Sequence, residues 1–159
     1  MSTIEQAVDA AGTALPDVIT GHIGGESVPV DAGATRHNVY FPGTGELVAA
    51  LQEDDASTVA AAVSTARESF ERGAWSRATI ATRQTVFRNA AQLIRDHAEE
   101  LAVLECLCAG LPSSHLASRQ VPRAADNLDF FADYIGVIAG ETFEQLTGYQ
   151  TVVTRQPAG

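Results

Sequence analysis

Residues 79–140 carry a long apolar stripe, and that stripe limits what the chain can fold into. Val86, Phe87, Ala90, Leu93, Ile94, Leu101, Leu104, Leu107 and Cys108 recur at steps of three and four residues. That spacing puts them on one side of a helix. A break at Gly110-Leu111-Pro112 comes next, and then a second series of Leu128, Phe131, Ile135 and Ile138. A helix with such a face has to bury it against another layer. The chain supplies few candidates: short strands before the stripe and one strand after it.

The 159 residues suit one domain. Hydrophobic residues make up 45%, but much of that is alanine and aromatics are only 6%, so large core-filling side chains are scarce. A net charge of -10 argues against nucleic acid as a partner, because backbone phosphates require lysine and arginine. No stretch approaches the roughly 20 apolar residues of a membrane span, and the first 20 residues lack the basic start and apolar run of a secretory signal. A cytoplasmic, reducing setting is therefore expected, in keeping with Cys106 and Cys108, whose spacing suits no mutual disulfide.

In chain order, residues 1–16 read as a tail or a loosely docked helix (Ile4, Val8, Ala11). Residues 18–30 read as one hairpin about Gly24-Gly25. These glycines lead into Glu26-Ser27-Val28-Pro29, a strand with a carboxylate, so they do not read as a phosphate cradle. Asn38-Val39-Tyr40-Phe41 and residues 46–51 form a second hairpin across Pro42-Gly43-Thr44-Gly45. A first helix starts after Glu53-Asp54-Asp55, capped by Asp55 or Ser57, with Val59, Val63, Ala66 and Phe70 on one face and Gly73 as its stop. Trp75 is placed to pin this helix to the next. A second helix runs from a cap at Thr79 or Thr82 to Gly110, Ser113 restarts helix for a turn or two, and a third helix spans residues 121–139 with Pro122 in its first turn. Residues 149–155 alternate as a final strand. The fold class is α+β: antiparallel hairpins, three helices and one strand.

These landmarks together resemble the N-terminal part of an aldehyde dehydrogenase. His22-Ile23-Gly24-Gly25-Glu26 is similar to the family's Ile-x-Gly-Glu strand, and Phe41-Pro42-Gly43-Thr44-Gly45-Glu46 to its Asn-Pro-Ala-Thr-Gly-Glu turn. Residues 66–70 with Trp75-Ser76 resemble the family's Ala-Arg-x-Ala-Phe…Trp segment. The stretch from Leu104 to Pro112 resembles Glu-Thr-x-Asp-x-Gly-x-Pro, with Cys108 in place of the aspartate that neighbours a structural cation site in some members. Phe130-Phe131-Ala132 and Gly140-Glu141-Thr142 resemble the family's next helix and its exit. Thr154-Arg155-Gln156-Pro157-Ala158-Gly159 resembles the strand that ends Pro-x-Gly just before the cofactor fold. The wording of Gly110-Leu111-Pro112 and Val121-Pro122-Arg123-Ala124 is nearest to dehydrogenases of muconate-type semialdehydes.

The resemblance implies a partial piece of an α/β, Rossmann-like cofactor domain. Residues 1–17 would be a tail, 18–146 the N-terminal part of that domain, and 147–159 the start of an oligomerisation arm. The complete enzyme would use NAD or NADP to oxidise an aldehyde to a carboxylic acid through a thiohemiacetal. Its catalytic cysteine, its glutamate and its oxyanion asparagine would lie beyond Gly159, so no catalytic, cofactor-binding or metal residue is assigned here. The chain alone is expected to be inactive, and marginal, oligomeric or molten. The remainder of the dehydrogenase, or full-length subunits, would be its partners, with homo-oligomers expected and no nucleic acid or membrane.

Several residues invite other readings. Cys106 and Cys108 lie near a helix C-terminus, beside Glu105, where a thiolate is disfavoured, so they read as structural. A zinc site from Cys106, Cys108, His97 and His115 lacks the usual ligand spacings. Ser113-Ser114-His115 reads as a helix cap, His22 and His37 as surface groups on strands, and Glu99, Glu100, Asp126 and Asp129 as solvated helix faces. Two alternatives stay open: a short module that joins full-length subunits by strand addition, and a stand-alone enzyme using one of the two cysteines.

Overall fold

The computed structural model describes residues 15–158. The tail reading of residues 1–14, and Gly159, lie outside the described residues. Among the described residues, seven strands and five helices occur in chain order. β1 (Val18–Ile19), β2 (His22–Ile23), β3 (Glu26–Ser27), β4 (Arg36–Tyr40) and β5 (Leu47–Gln52) precede α1 (Ala56–Arg72), α2 (Ile80–Asp96) and α3 (Ala98–Ala109). A single turn, α4 (Ser113–His115), runs through a π-helical turn at Leu116–Gln120 into α5 (Val121–Tyr134), and β6 (Glu141–Leu146) and β7 (Tyr149–Val153) come last.

The first hairpin is smaller than its sequence suggests. Only β2 and β3 pair across Gly24 and Gly25, both at positive φ as the tight turn requires. Val18 and Ile19 instead lie parallel to Ala50 and Leu51 of β5. β5 also pairs antiparallel with β4, giving a three-stranded sheet in the order β1-β5-β4. The edge of β5 offers Val18 and Ile19 partners and cover that a longer β2–β3 ladder would not.

Helix ends reflect local chemistry. The Asp55 carboxylate accepts from the Thr58 N–H at 2.7 Å and from the Ser57 hydroxyl, so Asp55 is the cap of α1. Gly73, at φ 79°, ends α1 in the left-handed conformation. Thr79 caps α2 by accepting from the Thr82 N–H at 3.1 Å.

Three expectations need correction. The second helix is two helices, broken at His97, whose φ of -106° and ψ of 22° leave the helical range. Glu99 and Glu100 then fall in the first turn of α3, where the helix dipole favours carboxylates, and Glu100 meets the His97 ring at 2.9 Å. The third helix ends at Tyr134 rather than residue 139, and Gly136 and Val137 form a turn held by the Asp133 and Tyr134 carbonyls. Finally, β7 is not a lone strand. It pairs with β6 from Glu141↔Val153 to Leu146↔Tyr149 about Gly148, at φ 86°.

The core is small and rich in alanine. Ala91 of α2 and Ala125 and Ala132 of α5 are inaccessible to solvent or nearly so, which lets these two helices pack closely. A second cluster joins Ala102, Leu116 and Val121, with Ile94, Ala98, Cys106 and Ala117 around it. Much of the predicted stripe stays outside both. Val86, Leu93 and Leu101 are exposed, as are Val59 and Val63 of α1.

Candidate functional site

The residues that tie the α1–α2 link to α2, and α2 to α5, also build an apolar concavity. Trp75, in the link after α1, stacks on Phe87 of α2 with ring centroids 6.0 Å apart. The Arg83 guanidinium lies 5.1 Å from the Trp75 ring centre. Its Nε donates to the Ala78 carbonyl at 3.1 Å and its Nη2 to the Ser76 carbonyl at 3.0 Å, which fixes the side chain. Gln84 Nε2 reaches across to the Ala132 carbonyl at 2.9 Å. Between α2 and α5 this leaves a cavity of about 450 Å³ lined by Trp75, Phe87, Phe131, Ile135 and Ile138, with Arg83 at its edge. Sequence reasoning anticipated Trp75 as a pin but missed Arg83 and Gln84, whose partners are carbonyls that no spacing rule reveals.

A second concavity, of about 480 Å³, is acidic. Asp31, Glu53, Asp54 and Asp55 line it where β5 leads into α1. Buried Gln52 supports its wall by accepting from the Asp31 N–H at 2.7 Å and donating to the Pro29 carbonyl at 3.2 Å. Asp54 Oδ1 is buried without a hydrogen-bond partner. Three hydrogen bonds from Thr58 and Ser57 hold the Asp55 carboxyl below its ordinary pKa.

The residues singled out in the sequence do not converge. Cys106 packs against the Ala102–Leu116–Val121 cluster while Cys108 is exposed, so a buried structural reading fits Cys106 alone. His22 and His37 are exposed on β2 and β4, and His37 meets Glu53 at 3.1 Å. His115 faces Gln120 at 3.4 Å. Asp126 and Asp129 are not idle solvated charges, because Arg95 of α2 donates to both, at 2.8 and 2.7 Å. These bonds, Asp129 first, raise the Arg95 pKa further. Among the described residues, no three His, Cys, Asp or Glu side chains gather as metal ligands, and no helix is long and apolar enough to cross a membrane.

Among the described residues, the strand-to-helix junction does not have the form of a pyrophosphate cradle. A pyrophosphate cradle needs a glycine turn leading from a strand to a helix N-terminus. Here the glycines at positive φ sit in hairpin turns or just after helices. The strand-to-helix junction that does occur, β5 to α1, runs through Glu53, Asp54 and Asp55, which repel phosphate.

The model of the aldehyde dehydrogenase family matches residues 30–159. This chain belongs to the aldehyde dehydrogenase family. Similar proteins include the aminoacetaldehyde dehydrogenase of Pseudomonas aeruginosa, 35% identical over 118 residues, covering 74% of this chain and 24% of the relative. The betaine aldehyde dehydrogenase of Vibrio vulnificus is 33% identical over 144 residues, covering 90% of this chain and 29% of the relative. Among solved structures, the AldA indole-3-acetaldehyde dehydrogenase of P. syringae, in complex with NAD+ and IAA, superposes with a TM-score of 0.84 at 29% identity. The match covers 100% of this chain and 32% of AldA. The chain thus spans about a third or less of these aldehyde dehydrogenases, and its fold is a partial piece of theirs.

Proposed function

We propose that this chain is the N-terminal segment of an NAD- or NADP-dependent aldehyde dehydrogenase that oxidises an aldehyde to a carboxylic acid, and that the segment alone is inactive. Residues 18–146 would form the outer part of the cofactor domain, 147–159 would begin the oligomerisation arm, and the setting would be cytoplasmic. The observation that carries this reading is the apolar surface that α1, α2 and α5 leave open. Val59, Val63, Val86, Leu93, Phe130 and Phe131 are all exposed, and such faces need a further layer over them. Catalytic and cofactor-binding groups would come from outside this segment. The similar dehydrogenases act, by name, on different aldehydes, so the proposal extends to the aldehyde class and no further. The test is the mass of the native protein in cell extract, read with an antibody against this chain. A mass far above 16.7 kDa supports the reading. A mass near that value overturns it.

The β6–β7 hairpin favours a second reading, an assembly module that binds full-length subunits. Among the described residues its two strands pair only with each other, and Tyr149 and Val152 are 72% and 61% exposed. An unpaired strand edge of this kind can accept another strand. Co-purification of a 16.7 kDa species with full-length dehydrogenase would favour this reading over the first.

A further inference from the structure

The turn at Leu116–Gln120 is the one π-helical turn among the described residues. Such turns are rare and recur at functional sites. Leu116 and Val121 are buried and anchor one side of it, and the Val121 N–H closes it by donating to the Leu116 carbonyl. The wide turn brings Gln120 back beside His115, with their Nε2 atoms 3.4 Å apart. Arg119 lies in the turn and Arg123 in the first turn of α5, and both are exposed. Four residues apart, they are neighbours on the helix surface, with Cβ atoms roughly 5–6 Å apart.

The charge of this strip is uncompensated. The chain carries 20 acidic residues against 10 basic ones, and all the basic ones are arginines. Arg67, Arg72, Arg88 and Arg95 pair with carboxylates, and Arg77 and Arg83 bind carbonyls. Among the described residues, no hydrogen bond or ion pair reaches Arg119 or Arg123. The carboxylates that follow them in sequence, Asp126 and Asp129, are held by Arg95. Two guanidinium groups at this spacing repel each other, and an anion between them would turn that repulsion into attraction. Their planar forks match a carboxylate. The buried Leu116 and Val121 already fix the backbone that carries them, so binding has less left to order. We propose that His115, Arg119, Gln120 and Arg123 form a binding strip for a small carboxylate anion, with a dicarboxylate matched to the two guanidinium groups.

The test is arginine footprinting of the native protein, at its native length, with phenylglyoxal and peptide mass mapping. Succinate is the probe, compared with chloride at equal ionic strength. Arg119 and Arg123 are expected to react freely in chloride and roughly tenfold more slowly in saturating succinate. Arg36, which is also exposed and without a partner among the described residues, is expected to react at one rate in both. Arg123→Gln should remove the protection of Arg119, with helix content checked by circular dichroism; the wild-type footprint decides the matter if this variant unfolds. Equal slowing at Arg36 would mean general ionic screening and would overturn the site, as would no slowing anywhere. Arg119 and Arg123 that are unreactive before succinate is added, yet reactive after denaturation, would mean that another polypeptide covers them, which would overturn a small-molecule site too.

Discussion

Arg95 Nη2 on α2 donates to Asp129 Oδ2 on α5 at 2.7 Å, and the same nitrogen reaches Asp126 at 2.8 Å. With Arg88 on Asp133, also at 2.7 Å, it clasps the two helices along the edge of their alanine contact. Arg95→Ala should therefore lower the thermal midpoint. The folded-state pKa of Arg95 is raised, so its contribution is complete below the unfolded value and is lost only as pH rises through the folded one. On the arginine side, the stability difference between wild type and Arg95→Ala should be flat across neutral and mildly alkaline pH in thermal melts.

Asp55 behaves in the opposite sense. Its folded pKa is lowered, so its contribution is present above the unfolded value and is lost as pH falls through the folded one. Below about pH 4 the cap on α1 should weaken, and the helix should lose amide protection at its first turn. Asp55→Asn keeps an acceptor oxygen without the carboxyl titration, so its first turn should respond less to acid than that of the wild type. Equal acid sensitivity in the two proteins would remove Asp55 as the cause.

At Ala125 the packing of α5 leaves no spare volume. Ala125→Leu should destabilise the chain by about 1–3 kcal/mol through overpacking, since Ala125 is fully buried. Leu116→Ala should cost about 2–5 kcal/mol through a cavity, because Leu116 is the largest fully buried side chain among the described residues. Urea unfolding midpoints would check both.

Gly73 lies at φ 79°, and a Cβ there would strike the Arg77 guanidinium, which is held by the Glu71 and Arg72 carbonyls. Gly73→Ala should cost about 1–2 kcal/mol from the left-handed backbone alone. Gly33→Ala, at a position without positive φ or a close neighbour, should be nearly neutral in the same denaturation experiment.

Exposed Val59, Val63, Val86 and Leu93 predict that the isolated chain associates or stays loosely packed. Amide exchange should show incomplete protection across residues 86–107 wherever the sample is monomeric. Full protection there in a proven monomer would overturn this expectation.

Local signals in the sequence determined much of the chain. The caps at Asp55 and Thr79, the stop at Gly73, the Gly24-Gly25 turn and the β4–β5 hairpin depend on residues within a few positions of each other, so their chemistry is readable one residue at a time. The family resemblance was legible for the same reason, as an ordered series of such local landmarks. Tertiary structure alone decided the rest. Val18 and Ile19 leave their hairpin because β5 lies alongside them. Asp126 and Asp129 become a clasp only when Arg95, 31 and 34 residues away, is brought beside them. The apolar cavity, too, exists only once α2 and α5 meet. Periodicity reports which face of a helix is apolar, but which face is covered depends on the partners the fold brings to it.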